Sequence, residues 1–471
     1  MSIIFFNEWK GLFRNKLFLF FISFFLLLLF IVTFFGNIQN KKQIQNQQEA
    51  KNHIRDQWDE MGPSNPHSAA HFGTYAFKSN SILNSLDEGV NAVTGLVLRL
   101  EGHKQNEVAF SESSQSLTIS TFGKLKVSLL FQFIIPLFLI FLAFNTYTSE
   151  ISSGRLKLLL IQGNSMSKII FAKIFTLLSL ATLLLLFTIL VQFFLNINYI
   201  KLDQITRLVI FFFSYFLYYF IIISFTVFLS LLLKKSTSAL SLTIITWLLW
   251  TIFIPKTVGN FTESLTPLST RIELSEKMQD DRSKGIDGHN PFDDRKIELE
   301  KEILARYEVD SLSHLPINFA GILMQADEEF GNQVWDKHYG ELYAKLETQK
   351  RNYQLSGLIN PFASLQSLSM ASAGTDLLHH LDFLSHAEKY RRYFIKTLND
   401  EYAFGGSKTG ERGWKASQDF FRSIKDFSYN EANFISMKNK YFIDIFCLFL
   451  WSLSLVCLII YYSKNHPFNE Y

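Results

Sequence analysis

Cysteine is nearly absent from this sequence, and the two that occur, Cys447 and Cys457, lie in the last apolar block. The polar regions therefore contain no disulfide and no cysteine-based zinc site. The sequence also lacks an excess of charge of one sign, since 45 basic and 42 acidic residues leave a net charge of +3. This balance argues against nucleic-acid binding, which needs a clustered basic surface.

Motifs for nucleotide binding and for hydrolysis are missing as well. No Gly-x4-Gly-Lys-Ser/Thr loop occurs, and the Gly-Gly-Ser-Lys-Thr-Gly stretch at 405–410 has the wrong spacing. Neither Gly-x-Ser-x-Gly nor His-Glu-x-x-His is present. We therefore expect a chain without its own ATPase site and without enzyme activity.

Uninterrupted apolar blocks are what the sequence does have, and many of its 49 phenylalanines lie in them. A bilayer core about 30 Å thick is crossed by a helix of roughly 20 apolar residues. Six segments meet this requirement: 17–36, 127–149, 174–200, 208–233, 236–255 and 441–463. The first is too long for a signal-peptide core and lacks a cleavage pattern, so we interpret it as an uncleaved anchor. The predicted fold class is an all-α polytopic membrane protein.

Basic residues in the short flanks predict the orientation of these spans. Lys and Arg precede the first span, fill the loop between the second and third, separate the fourth and fifth, and follow the sixth. With six spans these flanks share one side, so 1–16, 150–173 and 464–471 are expected in the cytoplasm. The short loop with Lys201, Asp203 and Arg207 is mixed in charge and is expected outside. The predicted location is the bacterial inner membrane.

Two polar regions, 37–126 and 256–440, are then predicted to be extracytoplasmic and mostly helical. The first opens with a polar helix over 37–59, which Gly and Pro residues at 62–66 interrupt. The second has helical periodicity, with breaks at Gly357 and Pro361. One weak strand candidate covers 116–120.

The loop between the second and third spans has the most informative pattern. It has Glu150 at the end of a span, a turn at Gly154, and a basic return to the membrane at Lys173. Between them, Leu156, Leu159 and Leu160 have helical spacing and are expected on one apolar face. Such a helix can dock in a groove of a soluble partner or lie in the membrane interface.

This stretch resembles the loop of ABC-2 permeases that supplies the coupling helix. Glu150, Gly154, Leu156, Leu158 to Leu160 and Lys173 fall on the family's pattern, while Gly163 stands where many members have Pro. Residues 5–10, Phe-Phe-Asn-Glu-Trp-Lys, are similar to the family's N-terminal interfacial helix at 1–16. Several stretches between 285 and 376 resemble a subgroup whose large outer domain, between spans five and six, has no assigned activity.

The resemblance implies an exporter permease that pairs with a second permease chain and with two ATPase subunits. ATP would then be bound by the partner, and this chain would need no cofactor. The resemblance makes Glu150, Gly154, Leu156, Leu159, Leu160 and Lys173 the candidate ATPase-coupling residues. An extracytoplasmic protein partner is a further expectation for the outer domain.

Acidic and histidine residues in the second polar region raise the question of a metal site. Asp287, His289 and Asp293 bunch in a Gly/Pro turn, and His379 and His380 could join them in space. Local turn formation and helix capping explain the aspartates without a metal, so none is predicted. His67, His71 and His103 have no spaced partners in sequence and are expected at the surface, and Asp444 is expected to anchor the sixth span at the interface.

Two alternatives from other classes remain open. One is a membrane-anchored receptor or scaffold with an outer binding domain. The other is a membrane-bound hydrolase that uses the external Asp/His cluster. Neither requires a loop that docks an ATPase.

Overall fold

The structure is a computed structural model that describes residues 1–79, 81–106, 108, 125–233, 235–286, 292–411 and 413–465. Helices dominate these residues and only two short strands occur, so the predicted all-α class is confirmed. Six helices of the described chain are long and apolar enough to cross a membrane: Lys16–Asp59, Val127–Ser152, Met166–Leu195, Leu202–Leu232, Ser236–Leu265 and Phe434–Lys464. The strand candidate at 116–120 and the tail from 466 lie outside the described residues.

The predicted first span and the predicted polar helix over 37–59 form one continuous helix of 44 residues, Lys16–Asp59. At about 1.5 Å per residue it is about 66 Å long, roughly twice the bilayer core. The side chain of Asn15 accepts the N–H groups of Leu17 and Phe18 and separates this helix from the N-terminal helix Ser2–Arg14. This helix is therefore too long to lie wholly within a bilayer core.

Prolines shape the second and fifth spans without ending them. In the second span, helical residues Val127–Leu129 and Ile135–Ala143 flank a π turn at Leu130–Ile134, just before Pro136. In the fifth, Ser236–Leu248 and Ile254–Leu265 flank a π turn at Leu249–Phe253, before Pro255. A wider turn accommodates the proline ring and its missing N–H group. The fifth helix consequently continues ten residues beyond its predicted end at 255.

The third and fourth spans begin earlier than the apolar pattern predicts. The third starts at Met166, so Lys173 lies inside the helix and not in the loop. The fourth starts at Leu202, which places Arg207 in its second turn, where the residue is only 1% exposed. A hydropathy pattern misses these turns because each carries a charged residue, Lys173 or Arg207, whose partners include residues distant in sequence.

The first insertion, between spans one and two, is small and mixed. It contains helices Pro66–Phe72 and Asn91–Thr94 and a 3₁₀ turn at Ile82–Ser85. Strands β1 (Thr74–Phe77) and β2 (Val97–Leu100) pair antiparallel, with Thr74 opposite Leu100.

The second insertion, between spans five and six, is mostly helical in its described part. Its α-helices are Arg271–Lys284, Phe292–Arg306, Phe319–Leu355, Pro361–Ala373, Leu377–Phe404, Gln418–Ser423 and Phe434–Met437. Short 3₁₀ turns lie at Leu312–His314, Ser356–Leu358 and Lys438–Tyr441, before the last helix Phe442–Asn465. The two longest helices are joined by ion pairs such as Arg391 Nη1 to Glu328 Oε2 at 3.0 Å.

Both insertions pack together at the same end of the helix bundle. The Trp58 indole donates to the Phe421 carbonyl oxygen at 2.8 Å, and its ring lies 5.3 Å from that of Phe394. Ser64 and Ala416 form an antiparallel bridge. We call this the insertion end of the bundle. Asn196, at the last turn of the third span, donates to Asn37 there at 2.7 Å.

The loop between spans two and three lies at the opposite end, together with the N-terminal helix. Lys173, near the start of the third span, contacts Glu8 at 2.6 Å. The Trp9 indole donates to Ser179 one and a half turns further along the same span, at 2.9 Å. We call this the loop end. Its position opposite the insertions agrees with the predicted topology.

Cysteine labelling tests this arrangement and the predicted orientation. Exposed Ser68, Ser313 and Ser165 are each changed to Cys in a Cys447→Ala, Cys457→Ala background. An impermeant maleimide should label Ser68→Cys and Ser313→Cys in spheroplasts, because both insertions are predicted to face outwards. Ser165→Cys should react only after the membrane is opened. Labelling of Ser68→Cys and Ser313→Cys from different sides would contradict the fold, and a fully reversed pattern would contradict the orientation.

Candidate functional site

The loop helix Arg155–Ile161 is held between two glycine corners. Gly154 precedes it with φ of +69°, and Gly163 follows it with φ of +82°. Only glycine adopts such left-handed backbone at little cost. The chain therefore leaves the second span through Thr148–Ser152, turns into the short helix, and re-enters as the third span at Met166.

Glu150 and Lys173, both predicted as coupling residues, meet in a buried ion cluster. Lys173 Nζ lies 3.0 Å from Glu150 Oε1 and 2.6 Å from Glu8 Oε1. Arg155 Nη2 lies 3.3 Å from the same Glu150 oxygen. The Glu150 and Lys173 side chains are 7% and 5% exposed, so the pair is largely removed from water. The cluster ties the end of span two, the start of span three and the N-terminal helix to one another.

The predicted leucine face of the loop helix turns towards the bundle. Leu156 is 2% exposed within the chain's own core, and Leu159 and Leu160 pack against that core while partly buried. The exposed apolar residues are instead Leu158, at 60%, and Ile161, at 75%. Their spacing of three residues places them together on the other face of the helix. Sequence spacing alone shows both faces and does not tell which one the bundle covers.

A segment of the second insertion enters the helix bundle. It consists of Ser356–Leu358 and helix Pro361–Ala373, and we call 356–373 the re-entrant segment. Asn360 Nδ2 donates to the carbonyl oxygen of Trp250, in the middle of span five, at 2.9 Å. Trp451 of span six donates to the Gly357 carbonyl oxygen at 3.0 Å. The sequence analysis predicted the whole polar region 256–440 to lie outside. A helix of 13 residues is too short to be recognised as a span.

Polar contacts fix the re-entrant segment within the bundle. Ser369 Oγ donates to Asp87 Oδ2 at 2.5 Å and contacts the Tyr215 hydroxyl at 2.8 Å. Gln132 Nε2 of span two donates to the same tyrosine at 3.1 Å. Asp87 belongs to the first insertion, and its burial raises the pKa of its carboxyl group. These contacts join both insertions to spans two and four.

A second ion network lies at the insertion end, centred on Arg207. Its Nε donates to Asp203 at 2.6 Å and its Nη1 lies 3.3 Å from Glu431. The same Nη1 lies 3.4 Å from His379 Nε2, whose Nδ1 contacts Asp376 at 2.6 Å. Arg207, from the mixed loop of the sequence prediction, is therefore buried at a junction between span four and the second insertion, while Lys201 is exposed. Besides Arg207, Glu431 Oε1 lies near His379 Nε2, at 3.8 Å.

Burial and charge act oppositely on the acids of this network. Asp376 is fully buried, yet the charges of Lys350 and His379 hold its pKa well below its ordinary value. Burial raises the pKa of Glu431 against the attraction of Arg207. Burial, together with the charge of Lys78, lowers the pKa of His380 to about 3. Asp376 is thus a buried carboxylate and His380 a buried neutral imidazole.

The candidate metal residues do not assemble in the part of the chain that the structure describes. Asp293 lies exposed in the first turn of Phe292–Arg306, the position expected for a helix-terminus carboxylate. The two ring nitrogens of His379 contact Asp376 and Arg207. His380 is buried, whereas Asp293 is exposed. Asp287 and His289 lie outside the described residues.

Two further sequence predictions need correction. Asp444 is fully buried, not an interfacial anchor, and accepts hydrogen bonds from Gln354 at 2.5 Å and Ser367 at 2.8 Å. The three histidines expected as separate surface residues, His67, His71 and His103, lie together. The only sequence signal for this histidine cluster is the four-residue spacing of His67 and His71, which is one helical turn.

Comparison with known families gave two matches. The model described as ABC-2 family transporter protein matches residues 2–303. A domain of unknown function, DUF3526, matches residues 271–430, which covers most of the second insertion. Comparison with curated proteins and with solved structures gave no match.

The buried ion pair at the loop end predicts non-additive losses of stability. Lys173→Met leaves Glu150 buried beside only the exposed Arg155, and should cost about 3–5 kcal/mol. The double variant Glu150→Gln, Lys173→Met removes both charges and should cost less than the sum of the single changes by at least about 1 kcal/mol. Thermal unfolding in detergent measures all three, with exposed Lys168→Met as the neutral control. Strictly additive losses would show that the pair is not coupled.

His380 predicts a pH dependence of stability. Its pKa is about 3 in the folded chain and about 6.5 when unfolded. Between these values the unfolded chain binds more protons, so stability falls as the pH falls, by about 2 kcal/mol from pH 7.5 to 5. His380→Gln should reduce the change in unfolding temperature between pH 7.5 and 5, while exposed His386→Gln should not. An unchanged slope in His380→Gln would refute the assignment.

Proposed function

Because the chain belongs to the ABC-2 transporter family, we propose that it is the permease subunit of an ATP-driven exporter and couples hydrolysis by a separate ATPase to release of a cargo. In the working assembly it pairs with a second permease chain and with two ATPase subunits. Its loop end faces the cytoplasm of a bacterial cell, and its insertions face outwards. The match of the family model over residues 2–303 supports this function.

The loop helix is the proposed ATPase dock. Leu158 and Ile161 are the exposed aliphatic residues of this helix and suit insertion into a groove of a soluble partner. Leu156, Leu159 and Leu160 join the same helix to the bundle. Docking and anchoring therefore use opposite faces of one helix, and force applied to one face reaches the other.

Glu150, Gly154 and Lys173 set the direction in which that force acts. The left-handed Gly154 fixes the angle between span two and the loop helix. The Glu150–Lys173 pair ties this corner to span three, and Glu8 adds the N-terminal helix. A displacement of the loop helix thus moves spans two and three together. Breaking the pair should impair coupling more than docking.

At the insertion end, we propose that the re-entrant segment is the outer gate. It occupies the space between spans four, five and six, with Phe362 only 1% exposed. Gln132 of span two connects to it through Tyr215 and Ser369. Movement of span two is therefore transmitted through these hydrogen bonds to the re-entrant segment, which closes the outer side of the bundle.

The proposed dock predicts the effect of two charges. Burying an aliphatic side chain is worth roughly 1.5–3 kcal/mol, so Leu158→Asp with Ile161→Asp should lower the ATPase activity that co-purifies with the tagged chain at least tenfold. Phe404→Asp, an equally exposed site in the second insertion, is the matched control. Leu156→Ala should instead lower the unfolding temperature, because it removes core packing.

The readout is ATP hydrolysis in detergent extracts from the native cells, normalised to the amount of tagged chain. Full retention of activity in the double Asp variant, with normal membrane insertion, would show that the loop helix is not the dock. No co-purifying ATPase with the parent chain would contradict the exporter function itself.

A further inference from the structure

Three histidines from two stretches of the first insertion meet in one place. His67 and His71 lie one turn apart on helix Pro66–Phe72 and share a face. His103 lies in the turn after β2 with φ of +61°. The N–H of Gly102 donates to the Ala70 carbonyl oxygen at 2.9 Å and holds this turn against the helix. One ligand atom from each histidine lies within 4.8 Å of the others.

The spacing of the imidazole nitrogens fits a shared ion. The Nε2 atoms of His67 and His71 are 3.2 Å apart. Two nitrogens bound to one tetrahedral zinc at about 2.0–2.1 Å are separated by about 3.3–3.4 Å. The ring centroids of the three histidines lie 4.6, 5.3 and 5.3 Å apart, so the third ring closes the same small space.

Glu328 of the second insertion orients the third ligand. Its Oε1 lies 3.0 Å from His103 Nδ1 and also accepts the His103 backbone N–H at 2.5 Å. Its Oε2 is held by Arg391 Nη1 at 3.0 Å, and its side chain is 4% exposed. A carboxylate that binds the proton on Nδ1 leaves Nε2 free to coordinate, as around metal-bound histidines generally.

We propose that His67, His71 and His103 bind a divalent transition ion of the zinc type, with Glu328 as a positioning residue. Imidazole nitrogens suit Zn²⁺ and its neighbours, whereas Mg²⁺ and Ca²⁺ prefer oxygen ligands. Three protein ligands leave a fourth position open, and the exposed His71 gives solvent access to it. The ion stabilises contact between the two insertions, because its ligands come from the first and Glu328 from the second. This site does not depend on the export function.

Zinc titration of the full-length protein tests the proposal. The chain is purified in detergent with a histidine-free tag, stripped with a chelator, and titrated with Zn²⁺ by calorimetry. We expect about one ion per chain and a rise in unfolding temperature with Zn²⁺ but not with Mg²⁺. Co²⁺ in place of Zn²⁺ should give the visible absorption of a tetrahedral site.

Variants separate the cluster from adventitious binding. His71→Ala, at an exposed position, should weaken Zn²⁺ binding at least tenfold and abolish the Co²⁺ band. Glu328→Gln should weaken binding roughly 10–100-fold, and exposed His53→Ala should match the parent. Absence of zinc binding by the parent, or equal binding by His71→Ala, would overturn the site. Parent-like affinity in Glu328→Gln would overturn the positioning role of Glu328.

Discussion

A charged or amide group inside the helix bundle must find a partner there, because neither lipid nor packed side chains replace water. This requirement explains where the spans of this protein are joined. Lys173 sits inside span three beside Glu150 and Glu8, and Arg207 sits inside span four beside Asp203 and Glu431. Each is almost fully buried, so each fixes the geometry of every element that supplies a partner. One such junction lies at each end of the bundle.

The same requirement joins the second insertion to the helix bundle. The re-entrant segment carries four buried serines, Ser364, Ser367, Ser369 and Ser372, and places Asn360 against the backbone of span five. Ser367 and Gln354 bind Asp444 of span six, while Ser369 binds Asp87 of the first insertion. The second insertion therefore cannot move as a rigid appendage independent of the spans. A change in the packing of spans four to six changes its position too.

The two ends of the bundle differ in what their contacts connect. At the loop end, the exposed face of a short helix is available to a partner while its buried face is fixed to the core. At the insertion end, hydrogen bonds connect span two with the segment that fills the space among the other spans. The histidine cluster lies where the insertions meet, with Glu328 of the second insertion against His103 of the first. The proposed coupling, gating and metal-binding roles thus fall to separate groups of residues on one chain.

The sequence by itself determined the class and the six apolar helices, and it singled out the loop between the second and third. Hydrophobic length and the position of basic flanks are local properties, and Glu150, Gly154 and Lys173 stand out by local spacing. Tertiary structure alone decided which face of the loop helix is free, since Leu156 and Leu158 are equally apolar and differ only in what covers them. It also decided that Arg207 and Asp444 are buried, that 356–373 enters the bundle, and that His103 joins His67 and His71. Each of these depends on contacts between residues far apart in the chain, which no local pattern of hydropathy or charge encodes.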